Sequence, residues 1–185
     1  MRYLAFIAAL CLATVPIEEA EAGARVTQIA TGQGAEHENT TTEGSIARKI
    51  FVANELSVGK VYMFDCGVEV NDNNSTDTLV IAVRFGSSST VTSNTAVATS
   101  AAVDVADADQ AVVRGWITVE STTRAVISVL LSEPDAIATI SAKAHKTVVT
   151  IAPNTAYYLD VTADWSVAHA DNEVAADSFS VIEFN

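Results

Sequence analysis

Residues 78–85, TLVIAVRF, alternate without a break: Leu79, Ile81, Val83 and Phe85 fall on one face, and Thr78, Val80, Ala82 and Arg84 on the other. Period-two alternation after the Asn/Asp cluster at 71–77 predicts a strand with one buried face, entered from an exposed turn. Residues 60–70 repeat the pattern, with Tyr62, Phe64, Cys66, Val68 and Val70 inward. A slip of one residue there would expose every inward group, so the register is strongly specified. Residues 110–120 place Ala111, Val113, Gly115, Ile117 and Val119 inward and leave Val112, Arg114 and Trp116 outward. Residues 157–167 set Leu159, Val161, Ala163, Trp165 and Val167 against Asp160, Thr162, Asp164 and Ser166.

Weaker segments complete the outline. Strands are expected over 45–52 and 176–184, and a brief edge strand over 102–108. RAVISVLLS (124–132) is almost continuously apolar, which predicts cover on both faces. Two short strands, 136–142 and 147–151, are expected around a turn at Lys143-Ala144-His145-Lys146. Residues 86–101 are rich in Ser and Thr and are read as a long connection holding a short strand or two. No amphipathic helix longer than about two turns is expected beyond Glu43. Eight to ten strands without a fixed repeat fit an all-β fold, an antiparallel two-sheet jelly-roll-like β-sandwich at 44–185. Phe64, Ile81, Val83, Ile117, Val161 and Trp165 are expected to share its core.

Residues 1–43 form a separate region. An apolar run at 4–15 follows Arg2, then Pro16 and small residues at Ala20, Ala22 and Ala24. Residues 1–24 therefore scan as a signal peptide, or as a retained apolar segment that needs a partner surface. The run is too short to span a bilayer. Residues 25–43, with Gly32, Gly34 and a Thr run, read as an extended arm.

Composition narrows the partners. The 185-residue chain carries a formal charge of −13, which repels a phosphate backbone and anionic membranes alike. Neither nucleic acid nor membrane is expected as a partner. Ala, Val, Thr and Ser dominate, in keeping with the ~10 Å interior between two facing sheets. Cys11 and Cys66 are too few for a disulfide framework, and Cys66 is expected as a buried thiol.

Five segments carry a family likeness: NTTTE (39–43), VANELSVGKVY (52–62), NSTDTLVIAVRFG (74–86), AAVDVADAD (101–109) and LDVTADWSVAHADN (159–172). Together they resemble jelly-roll virion structural proteins of tailed bacteriophages: capsid decoration or cement proteins, head fibres and tail appendages. The resemblance covers 39–185 and rests on turn and strand patterns. It implies a non-enzymatic, commonly trimeric protein attached non-covalently to a major capsid protein or other virion component, with no catalytic residue and no cofactor. The apolar run at 4–15 departs from that family and leaves a secreted carbohydrate-binding or adhesin-type sandwich as the alternative. Its candidate aromatic platform is Tyr157, Tyr158 and Trp165.

No residue set points to catalysis or metal binding. His37, His145 and His169 are scattered, with no ligand at zinc spacing. Asn71, Asn73, Ser75 and Asp77 alternate like calcium-loop oxygens but lack the central Gly and closing Glu, and Asp104, Asp107 and Asp109 read as an acidic loop tip. Asp160, Asp164 and Glu69 could be nominated as hydrolytic carboxylates, although separation is what defines such a pair. The Asn-X-Ser/Thr triplets at 39–41, 73–75 and 74–76 need no role beyond turn formation. The candidate interface is Val112, Trp116, Ile182 and Phe184, apolar positions on an outer strand face or at the chain end, which a solitary monomer would hide.

Overall fold

The computed structural model describes residues 27–32, 36–71, 76–105, 109–132 and 142–184, with 27–32 and 142 described by their backbone alone. Its strands are β1 (Thr27–Gly32), β2 (His37–Glu38), β3 (Gly44–Phe51), β4 (Val61–Asn71), β5 (Thr78–Gly86), β6 (Thr95–Thr99), β7 (Val103–Asp104), β8 (Asp109–Ser121), β9 (Arg124–Ser132), β10 (Ala142–Thr150), β11 (Tyr157–Trp165) and β12 (Glu173–Phe184). Every pairing is antiparallel. The large sheet runs β1-β12-β4-β8-β9-β10, with β2 also on β12; the small sheet runs β3-β11-β5-β6, with β7 on β5.

Taking β1, β3, β4, β5, β6, β8, β11 and β12 as the chain-ordered strands of the sandwich, first pairs with last, last with third and third with sixth. In the facing sheet the order is second, seventh, fourth, fifth. That is the connectivity of a jelly roll, two interleaved Greek keys. The hairpin β9–β10 extends the large sheet beyond β8, and the sheet curls there until Thr147 Oγ1 of β10 donates 3.2 Å to Val97 O of β6.

One continuous core fills the space between the sheets. Tyr62, Phe64, Cys66, Val68 and Val70 of β4 meet Leu79, Ile81, Val83 and Phe85 of β5, and all are buried as their alternation predicts. Ile117, Val161 and Trp165 join the same cluster. Rings provide much of its volume: Phe51 and Tyr62 meet edge to face at 5.0 Å, and Phe85 stacks on Tyr157 at 5.3 Å. Such pairs add ~0.5–1.5 kcal/mol beyond the area they bury.

Several expectations are corrected. Lys143-Ala144-His145-Lys146 is no turn but the first half of β10, which pairs with β9 without interruption from Ala142 to Thr150. As an edge strand it tolerates lysines that a central strand would not. Val167 is exposed, because β11 ends at Trp165, where Ser166 N donates to Thr78 O and the Ser166 hydroxyl accepts from Thr78 N. β9 is not covered on both faces, since Leu130 is 42% exposed. The edge strand expected over 102–108 is the two-residue β7. Residues 27–32 and 37–38, inside the segment read as an arm, are strands on β12. The apolar run at 4–15, the signal-like 1–24, the strand expected at 136–141, and Asn73, Ser75 and Asp107 lie outside the described residues.

Candidate interaction surface

Strand register assembles the outer face of the large sheet. Alternation turns Ile182, Met63 and Trp116 away from the core, and pairing sets them side by side across β12, β4 and β8, with Ser128 of β9 and Lys146 of β10 completing the row. At ~4.8 Å per strand, Trp116 and Ile182 are about 10 Å apart with Met63 between them. The neighbouring row is Phe184, Val61, Thr118, Val126 and Val148. On the other side run Ser180, Asp65, Arg114, Leu130 and Ala144, with Val112 one step further along β8.

Of the four residues nominated from sequence, Trp116, Ile182 and Phe184 therefore come together in adjacent rows, and Val112 lies beyond them on the same face. Trp116 is 39% and Val112 46% exposed, whereas Ile182 and Phe184 are half-buried. Leu130 and Val148, at 42% and 55%, belong to the same surface. Sequence reasoning missed them because continuous apolarity hid the outer face of β9 and the short strand expected at 147–151 was given no inward or outward face. A pocket of about 340 Å³ opens between Trp116, Leu130, Ala144 and Lys146.

Charge is distributed unevenly around this face. Arg48, Arg84, Arg124, Lys49 and Lys60 pair with Asp160, Glu43, Glu120, Glu55 and Glu183 at 2.6 to 3.1 Å, and Arg114 pairs with Asp65. Acids outside any ion pair, among them Glu38, Glu69, Asp77, Asp104 and Glu173, gather at the end where β4 leaves and β5, β8 and β12 begin. Glu38 lies directly across from Glu173, an unfavourable cross-strand pair. The middle of the apolar face carries only the Asp65–Arg114 pair and Lys146 among the described residues. A strongly acidic chain thus presents one nearly neutral, apolar face.

The opposite sheet is polar outside. Glu43 holds Arg84 through two 2.6 Å hydrogen bonds and accepts another from the Thr162 hydroxyl. Burial pushes the Glu43 carboxyl up, but its bonds from Arg84 and Thr162 outweigh this and hold it below the ordinary range. Asp164 beside it is pushed up by burial and by the Glu43 charge. His37 is pulled down by burial, against the opposing pull of Asp164, and its buried Nε2 has no hydrogen-bond partner among the described residues. Asp160 is fully buried, with Oδ1 accepting from Ser45 at 2.8 Å and Arg48 at 2.6 Å. These contacts cover the outer face of β11 with long side chains from β3, β5 and the segment before β3.

Residues nominated for chemistry do not converge. Asp160 and Asp164 share a strand four residues apart, roughly 13 Å along it, and Glu69 is on the other sheet. His37, His145 and His169 lie on β2, on β10 and in the β11–β12 turn, where His169 Nδ1 is 3.7 Å from Asp171. Among the described residues no three metal-ligating side chains of His, Cys, Asp or Glu lie together. Asp77 accepts 2.9 Å from the Asn172 amide, while Asn71 ends β4 and Asp104 is exposed on β7. Cys66 is fully buried, and burial pushes its thiol up to about 12. No helix among the described residues is long and apolar enough to cross a membrane. Comparison with known proteins finds no matching family model and no match among curated sequences.

Proposed function

We propose that this chain is a structural protein of a phage virion, a capsid decoration, cement or head-fibre subunit. It assembles as a homotrimer through the outer face of its large sheet and holds the particle by non-covalent contacts with the major capsid protein or another virion component. The observation that carries this reading is the apolar surface of Met63, Trp116, Leu130 and Ile182. Register makes it contiguous, and the segregation of unpaired acids leaves it almost free of charge. Two copies of a −13 chain repel wherever unpaired acids face one another, so association is least opposed on this face. The jelly-roll connectivity supports the resemblance from which the reading starts. Trimeric attachment multiplies weak contacts through effective concentration, which is how a subunit held by weak surface contacts can stay on a particle.

The experiment is light scattering on the full chain and on a form beginning at Arg25, followed by co-sedimentation with the particle. Keeping Thr27–Gly32 leaves β12 its edge partner. A trimer that attaches to particles supports the reading, and a strict monomer contradicts the trimer. The alternative of a secreted sandwich that binds sugar on Tyr157, Tyr158 and Trp165 lacks its platform: Trp165 and Tyr157 are buried, and Tyr158 lies beneath the Arg48 guanidinium at 5.3 Å.

A further inference from the structure

Beside the seam between the two sheets lies a pocket of about 400 Å³, bounded by the β5–β6 loop on one side and by β10 and Tyr157 on the other. Its volume falls within the ~300–1,000 Å³ common to small-ligand sites. Val148 and the half-buried Val149 provide its apolar part, above the buried rings of Phe85 and Tyr157, which stack on one another. Ser87, Ser93, Thr95 and Thr150 are exposed on its walls, and their hydroxyls bond to nothing else among the described residues. Among the described residues no charged side chain lines it. Four unspent hydroxyls in a neutral pocket differ sharply from the ion-paired surface elsewhere on this acidic chain.

The wall that carries Ser87 and Ser93 is fixed in place. Asn94 is buried, its Oδ1 accepting from Ser88 N at 3.0 Å and its Nδ2 donating to Ser88 O at 2.8 Å. Arg84 Nη1 donates 2.7 Å to Asn94 O, and Arg84 is itself gripped by Glu43. Gly86 makes room for this clamp, since a Cβ there would lie 2.8 Å from Asn94 Cγ. A loop already ordered loses little freedom when a ligand arrives.

We propose that this pocket binds a neutral saccharide residue, through the hydroxyls of Ser87, Ser93, Thr95 and Thr150 and apolar contact with Val148 and Val149. Each hydroxyl both donates and accepts, which matches a ligand whose own groups do the same. With no lining cation among the described residues, a phosphorylated or carboxylated sugar finds no counter-charge on a chain that repels anions. The alternation of apolar ring faces and hydroxyl edges on a pyranose fits the pairing of Val148 and Val149 with the serine and threonine rim. The pocket meets the apolar field only at Val148 and includes neither Trp116 nor Ile182, so Trp116→Glu, which tests the assembly, leaves the pocket's lining unchanged.

The test is a titration of the full-length protein, followed by amide NMR, with neutral free sugars (glucose, galactose, mannose and N-acetylglucosamine), their methyl glycosides, and glucuronate and glucose 6-phosphate as charged probes. The expected result is saturable, millimolar binding of at least one neutral probe, with shifts at 86–95, 148–150 and 157. Charged probes bind at least tenfold more weakly. Ser93→Trp, at an exposed position, fills the pocket and lowers affinity at least tenfold while the melting temperature holds; Ser87→Trp serves the same purpose if the first variant folds poorly. Methyl glycosides bound as well as free sugars identify a residue of a glycan chain as the ligand, and preference for the free sugars identifies a soluble metabolite; either supports the pocket. No saturable shift with any neutral probe, equal binding by the filled variants, or equal binding of the charged probes overturns it.

Discussion

At residue scale, the large inward side chains depend on small ones opposite them. Gly115 pairs with Phe64, and a Cβ at Gly115 would collide with the Phe64 ring and lie 2.7 Å from Ser128 O. Gly115→Ala should therefore cost about 1–3 kcal/mol as overpacking, and Phe64→Ala about 3–5 kcal/mol as a cavity, both read from denaturant unfolding. Cys66 should resist thiol reagents in the native protein and react only on unfolding, since the thiol is buried and held protonated. His37 gives a pH signature. Its folded value lies below the ordinary value of about 6.5, so the unfolded chain binds its proton first and stability falls as pH drops through that value toward the folded one. Asp164 acts in the opposite direction at lower pH: its raised value means that protonation relieves a strained carboxylate. Glu43, held low, adds stability that is present above the ordinary carboxylate range and lost as pH falls through that range toward the lowered value. His37→Gln should flatten the loss of stability just below pH ~6.5, and a wild-type profile with no slope there contradicts the assignment.

At the scale of elements, alternation was legible wherever one face was bare and the other buried, as in β4, β5 and β8. Their cross-strand partners were not. Nothing in the sequence around Ile182 says that Met63 separates it from Trp116, because register across β12, β4 and β8 is a tertiary property. Burial by long neighbours was equally hidden: Asp160 and Thr162 take outward positions on β11, as their period predicts, yet both are buried because Arg48, Glu43 and Arg84 fold over them. β10 was misread because lysine on an edge strand looks like lysine in a turn, and β1 because a six-residue segment ending in Gly carries little period. Glu38 opposite Glu173 offers a check on pairing at the acidic end. Glu38→Gln should raise the melting temperature in low salt and have little effect in high salt, whereas a loss of stability in low salt would mean that the two carboxylates do not repel as the register implies.

At the scale of the molecule, the jelly roll positions two unlike outer faces and two unlike ends. One sheet presents ion-paired polar residues, the other an apolar field extended by the β9–β10 hairpin, and acids such as Glu38, Glu69, Asp104 and Glu173, outside the ion pairs, collect where β4 leaves and β12 begins. Sequence alone anticipated the sandwich and three of the residues that meet on the apolar field. It did not anticipate Leu130 and Val148, which enter through a hairpin added to the eight-strand plan. The central claim is that this field associates with other copies of the chain. Sedimentation or light scattering of the full-length protein beside Trp116→Glu tests it most directly, since a charge at a 39% exposed position disturbs the field without entering the core. The account predicts a particle of three chain masses for the wild type and a folded monomer with an unchanged melting temperature for the variant; a monomeric wild type, or a variant that remains trimeric, would contradict it.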